Sequence, residues 1–311
     1  MIATRRAARR ERSGFALLAV LWLLAGASVV GLTLVVRARI AAGGMGNRVA
    51  MRRAAWRAEG CLQVALSEIA DELAGAEERA GRAWSAVDTL VMAQPPFDTS
   101  CRLDAEPVGT RLSVASAPAE QLRALFCMSG VGLAAADSLA DALADWRDSD
   151  DVARPHGAER EWYARHDLAT PRNAGLANIV ELLSVRGFDR WPGLALLLTV
   201  ERGRVVASRA PDVVIAATAG VPDSAVRSLK ERLGRPLRTT DVAMLASRVG
   251  SSRSECQPDG PGAYRAMTDA PDAWVLSARA TAGAPPVEMT VEYLIARSGP
   301  RVALLRRRSW P

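Results

Sequence analysis

The longest apolar stretch lies near the start of the chain. FALLAVLWLLAGASVVGLTLVV, residues 15–36, holds 22 positions without a charge. As a helix it reaches roughly 33 Å at about 1.5 Å per residue, enough to cross a bilayer core. Nothing else in the 311 residues approaches the ~18 apolar positions that a span needs, so the pattern predicts one membrane segment and one body on one side of it. Beyond the span, Gly43, Gly44 and Gly46 each disfavour a helix by about 1 kcal/mol relative to alanine, which predicts a kink or a melted turn. Helical character returns from Asn47, with Leu62, Leu66, Ile69 and Leu73 forming one narrow stripe. Pro95 and Pro96 close that region.

Short β-like runs follow around 100–103 and 111–115. RLSVASAPAEQLRAL (111–125) reads as a strand entering a helix, with Pro118 in its first turn. VVIAATAGVPDSAVRSL (213–229) repeats the arrangement with Pro222, which predicts a pair of small helical subdomains of the SAM or helix-hairpin type. In NIVELLSVRGF (178–188), Asn178 and Glu181 read as a helix cap and Gly187 as a stop. Residues 251–272 read as loop, and 274–282, 289–297 and 301–307 alternate as three antiparallel strands.

Hydrophobic residues make up 49% of the chain and aromatics 5%, which excludes a disordered or collagen-like polymer. The net charge is +6, yet Lys230 is the only lysine among 40 basic residues. Such an arginine and alanine skew follows from a GC-rich coding sequence, so it is weak evidence for nucleic acid. Acidic residues are also spread through the arginine-rich stretches between residue 58 and the C-terminal basic run. The segment before the span, MIATRRAARRERSG, carries Arg5, Arg6, Arg9, Arg10 and Arg12 against one acid, which favours a cytoplasmic N-terminus. Arg37, Arg39, Arg48, Arg52 and Arg53 load the opposite flank similarly, so charge alone leaves the orientation open. A cleaved secretory signal fits poorly, because the apolar run is too long and ends in Val35, Val36 and Arg37.

A basic leader ending in Gly14, followed at once by Phe15 and the span, resembles the class III leader of type IV pilins and type II secretion pseudopilins. That resemblance implies cleavage by a prepilin peptidase between Gly14 and Phe15, with N-methylation of Phe15. The competing reading of these residues is an uncleaved signal anchor. The position-5 equivalent is Ala19 where most of the family has Glu, and an uncharged residue there is characteristic of the minor pseudopilin K. A buried Glu needs a partner, and a subunit at a filament tip has no neighbour above it to supply one. Further matches to the pseudopilin K family are LSVASA (112–117), VELLSVRGF (180–188), AATAGVP (216–222) and a strand tail ending in a basic run (274–308). The most specific is a block of Asp145, Trp146, Asp148, Asp150, Pro155, Gly157, Ala158, Glu159, Trp162 and Tyr163. The chain is identified as a divergent member of that family.

The resemblance implies an α+β, pilin-like fold, a long N-terminal transmembrane helix packed on a small antiparallel sheet, with a large α-helical insert. The expected division is leader 1–14, transmembrane half-helix 15–36, periplasmic half-helix 37–76, first body strands 77–115, insert 116–250 and C-terminal strands 251–311. The implied role is a non-enzymatic tip subunit of the type II secretion pseudopilus in the bacterial inner membrane, N-terminus cytoplasmic and body periplasmic. Implied partners are minor pseudopilins I and J, other pseudopilins, the prepilin peptidase, the secretin and exported proteins, with no nucleic acid. Loss of the leader removes five Arg and one Glu, leaving the body near +2. Two alternatives stand beside this reading. One is a type IV pilus minor pilin, which would lack the insert. The other is a membrane-anchored, competence-type DNA-binding protein, to which MSGVGL (128–133) points as a helix-hairpin-helix turn. Asp137 and Asp141, rather than a basic cluster, follow that turn.

Asp145, Asp148, Asp150, Asp151 and Glu159 form an acidic group suited to calcium, which takes about six to eight oxygens. The EF-hand spacing is absent, and a solvated turn paired with Arg147, Arg154 and Arg160 is the competing reading. No cofactor is otherwise required. His156 and His166 lie in a turn-rich stretch without a nucleophile motif, so catalysis is not expected. Cys61, Cys101, Cys127 and Cys256 allow up to two disulfides in an oxidising periplasm, among three connectivities. A Cys61–Cys101 bridge would tie the long helix to the first strands.

Overall fold

The computed structural model describes residues 11–93, 101–249, 256 and 266–311, with the side chains of 11–15 excepted. The apolar run and the amphipathic stripe form one element, α1 (Glu11–Leu73). Its first part is exposed on all sides as far as Val49, and it is the helix long and apolar enough to cross a membrane among the described residues. Gly43, Gly44 and Gly46 stay helical, against the expected kink. Once turns exist on both sides, each further residue adds a hydrogen bond, and propagation through a glycine costs less than a second nucleation.

From Ala50 the helix has a buried face of Ala50, Ala54, Ala58, Cys61, Leu62, Ala65, Ile69 and Leu73, with Leu66 at its margin. The alanines extend the predicted stripe toward the membrane and allow close approach. A side chain on Gly283, at φ +91°, would lie 2.7 Å from the Ala50 Cβ. Helices α2 (Glu77–Ser85) and α3 (Val87–Ala93) follow. This corrects the expectation of strands from residue 77, because Trp84, Val87 and Val91 bury a helical rather than an alternating face.

The sheet carries four antiparallel strands, β1 (Cys101–Pro107), β6 (Ala273–Ala282), β7 (Val287–Ser298) and β8 (Arg301–Trp310), in the order β1-β6-β7-β8. The first body strand thus pairs with residues far away in sequence, Cys101 opposite Ala280 and Pro107 opposite Trp274. Everything between β1 and β6 is an inserted domain. It holds β2 (Leu112–Ser113), α4 (Ala119–Met128), α5 (Leu133–Arg147), α6 (Arg160–Arg165), β3 (Leu198–Thr199), β4 (Val205–Val206), α7 (Asp212–Ala219), α8 (Asp223–Leu233), α9 (Thr239–Val249) and β5 (Met267–Thr268).

Two short parallel pairs, β2 with β3 and β4 with β5, close the insert at its neck. The insert therefore runs past the expected limits of 116 and 250, since Leu112 and Met267 belong to its core. The two predicted helical units also share one core, rather than forming separate subdomains. A second core lies between α1 and the sheet, around Trp274, Tyr293, Leu62 and Ile69. Arginine pairs join the two parts, Arg209 to Asp88 at 2.5 Å and Arg306 to Glu201 at 2.5 Å, and Arg204 holds Asp272 at 2.6 Å where the insert returns to β6. Disulfides link Cys61 with Cys101, helix to sheet, and Cys127 with Cys256 inside the insert.

Candidate functional site

The acidic group is only in part the solvated, arginine-paired turn that its sequence offers as the simpler reading: Asp150 and Asp151 are exposed, whereas Asp145 and Glu159 are buried. Helix α5 ends in Ala144, Asp145 and Trp146, all buried, and Asp145 is completely so. A carboxylate there must be paired and hydrogen-bonded. Arg154 supplies both, its backbone N–H donating to Oδ2 at 3.1 Å and its Nη1 to Oδ1 at 2.6 Å. The same Nη1 donates to Asp148 Oδ2 at 2.6 Å, so one guanidinium clamps two acids. Gly157 completes the fit: a Cβ at that position would lie 1.9 Å from Asp145 Oδ2, which only glycine avoids.

Glu159, just before α6, is the third acid, and Asp145, Asp148 and Glu159 place carboxylate oxygens within 4.8 Å of one another. Both Glu159 oxygens and Asp148 Oδ1 are buried without a hydrogen-bond partner. Burial, and then the charges of Asp145 and Asp148, push the Glu159 carboxyl up to about 7. A trio of acids with three orphaned oxygens could supply part of the oxygen shell of a hard divalent cation.

The remaining expected residues lie elsewhere. Asp150 accepts the backbone N–H of Val152 at 2.9 Å, and Asp151 accepts from Asn173 Nδ2 at 2.9 Å and pairs with Arg160 at 3.5 Å. Neither joins the trio. Arg147, a predicted partner of the acids, points away and donates to the carbonyls of Val114 and Ala117.

The aromatic half of the block supports the acidic half. Trp146 and Tyr163 meet edge to face at 5.1 Å, and Trp146 Nε1 donates to Glu181 at 3.2 Å. The Tyr163 hydroxyl accepts from the Arg186 backbone N–H at 2.9 Å, while Arg186 Nη1 donates to the Gly157 carbonyl at 2.7 Å. Asn178 caps its short 3-10 helix as predicted, accepting from the Glu181 backbone N–H at 3.1 Å, and Gly187 takes the left-handed conformation. Arg186 acts through its backbone N–H as well as its guanidinium, and Gly157 through its carbonyl as well as its missing Cβ; the backbone contributions are ones that residue type does not reveal.

The MSGVGL segment is the turn between α4 and α5, with Gly130 at φ +92°. Arg123 and Asp137 approach to 3.6 Å across it, and Phe126 and Val131 bury its inner side. It packs the hairpin and presents an acid where a phosphate-binding turn would present a base.

Residues 101–197 match the family model for protein K of the type II secretion system, and this span contains the whole acidic and aromatic block. No curated protein matches the chain significantly. A chain in the crystal structure of the GspK-GspI-GspJ complex from the enterotoxigenic Escherichia coli type 2 secretion system shares the fold. It superposes with a TM-score of 0.60 at 18% identity, covering 84% of this chain and 96% of that one. The chain thus resembles protein K of the type II secretion system over the first part of its insert, on a fold in which a long apolar helix packs against an antiparallel sheet, similar to that of the solved complex.

Proposed function

We propose that the protein is a minor pseudopilin of the type II secretion system, a non-enzymatic subunit that sits at the pseudopilus tip with minor pseudopilins I and J and assists protein export. The observation that carries this reading is the family-specific insert placed between β1 and β6 of a body whose α1 runs directly into an apolar span. The matched complex contains GspI and GspJ beside GspK, which supports I-type and J-type neighbours here. Contacts to other pseudopilins, the secretin and exported proteins complete the proposal. The insert also favours this reading over a type IV minor pilin.

In this role the apolar part of α1 starts as a membrane anchor and leaves the bilayer to join a helical bundle, driven by side-chain packing. The body is periplasmic and the N-terminus cytoplasmic. Gly14 and Phe15 lie in the first turns of α1, while residues 1–10 of the proposed leader are outside the described residues. Co-expression with a prepilin peptidase is expected to yield a mature chain beginning at methylated Phe15. The Gly14→Ala variant should keep its full length. N-terminal mass spectrometry reads both, and an unprocessed wild-type chain would count against the proposal.

Asp145, Asp148 and Glu159 form a proposed divalent cation site, with calcium the preferred ion in a periplasmic setting. The ion would neutralise the trio and occupy the orphaned oxygens. Because the folded Glu159 pKa lies above its unfolded value, this group's contribution to apo-protein stability falls as pH rises from about 4.5 through about 7. Protons and the cation compete for the same oxygens. Millimolar calcium is therefore expected to raise the Tm at pH 8 by several degrees and to have little effect at pH 5. Calorimetry on the full chain checks this, and an absence of heat at pH 8 would remove the ion.

A further inference from the structure

Strand β8 pairs with β7 on one side and with no strand among the described residues on the other. An open edge presents unpaired backbone N–H and C=O groups, which proteins usually blunt with prolines, inward charges or very short strands. Here the edge is ten residues long, and its first half, RVALL (301–305), carries one charge. Leu304 and Leu305 are 51% and 58% exposed. A bulge between Leu294 and Ile295 places Leu304 opposite Ile295 and Arg306 opposite Leu294, so Leu305 is the extra residue.

The face of this strand is legible from its neighbours. Tyr293 is bonded to Glu59 on α1, and Arg307, opposite Tyr293, reaches the same Glu59. Ile295 and Leu304 share that face by alternation. Val302 packs at the margin of the body core. The core thus continues outward through Val302 to Leu304 and stops there, uncovered.

We propose that the free edge of β8 receives an extended segment of a partner protein as a fifth strand, with an apolar residue beside Leu304 and a carboxylate facing Arg301. The charge pattern selects this occupant. Strand β8 contains Arg301, Arg306, Arg307 and Arg308 and no acid. Arg306 is held by Glu201 and Glu292, and Arg307 by Glu59, while Arg301 has no partner among the described residues. A second copy is a poor occupant. Parallel in-register pairing sets each arginine beside its equal, and antiparallel pairing centred on 304 and 305 sets Arg301 against Arg308, both of which are repulsive. Strand addition supplies the missing ladder bonds, and the alternate side chains give selectivity.

The test is hydrogen exchange by mass spectrometry on the full chain in detergent, with and without the synthetic peptide Thr-Val-Glu-Val-Glu-Val-Thr at millimolar concentration. The same peptide with both Glu replaced by Lys is the comparison. The acidic peptide should slow exchange in residues 301–310 about tenfold, and the lysine peptide should not. Leu304→Lys should abolish the effect while exchange in β6 and β7 stays as in wild type, which shows that the sheet is intact. Unchanged exchange in 301–310, equal protection by the lysine peptide, or protection that persists in Leu304→Lys would each overturn the proposal.

Discussion

Asp145→Ala is expected to destabilise the protein by about 3 kcal/mol, near the lower end of what breaking a buried ion pair costs. Asp145 is completely buried, and its carboxylate takes the Arg154 backbone N–H and one guanidinium nitrogen. The substitution leaves that N–H unpaired and opens a void against Gly157, whose backbone approaches so closely that a Cβ would collide with Asp145 Oδ2. Two features keep the loss from being larger. The Arg154 side chain is 39% exposed, so its charge can turn toward water, and its bond to Asp148 survives. Asp145→Asn retains the volume and should cost less, about 1–2 kcal/mol, through loss of a charge-assisted hydrogen bond. Urea unfolding of the full chain in a chelator, followed by near-UV circular dichroism, measures both. An alanine variant as stable as wild type would mean that the carboxylate is not held as described. Repeating the series with calcium separates the two roles of the trio, since added ion should widen the gap between wild type and either variant.

The part of this site that can be read from sequence is the part that depends on composition. Five acids within fifteen residues announce an acidic group, and the DW and GAE phrases tie it to a family. Which acids converge is a matter of chain direction. Helix α5 runs on through Arg147, so Asp145 faces inward on its last turn, whereas Asp150 and Asp151 fall in the loop beyond and turn toward Asn173. Arg154 and Arg147 look equivalent in sequence, yet one clamps acids and the other binds carbonyls 30 and 33 residues earlier in the chain.

In the fold, elements with local periodicity were legible: the span, the Leu62 to Leu73 stripe and the three C-terminal strands all lie where their patterns put them. Nonlocal pairing decided the rest. The neck strands β2 to β5 are two residues each, too short for any alternation to register, and they set the limits of the insert. The glycines at 43, 44 and 46 show the opposite case, a strong local signal outweighed by helix on both sides.

Trp274→Ala should cost about 3–5 kcal/mol, the range for truncating a fully buried aromatic. Trp274 is completely buried at the start of β6, where the insert returns to the sheet. Its indole N–H donates to the Trp84 carbonyl at 2.9 Å, and the Trp84 indole donates to the Pro271 carbonyl at 2.7 Å. These two bonds lock α2 against the strand that follows the neck. On the other side, the Arg209 guanidinium lies 5.4 Å from the Trp274 ring centroid while it pairs with Asp88 on α3. Arg209 belongs to the insert, so one ring touches the body core and the ion pair that fastens the insert to it. The loss should therefore be felt unevenly. Hydrogen exchange is expected to rise in α2, α3 and β1, and the Arg209–Asp88 contact should weaken. The core around Leu125, Leu143 and Ile215 should keep its protection, because it is a separate cluster. Trp274→Phe retains most of the buried area but leaves the Trp84 carbonyl unpaired, and should cost about 1–3 kcal/mol. Uniform loss of protection across both cores in Trp274→Ala would show that body and insert unfold as one unit, and would refute the view of two cores joined at a charged seam.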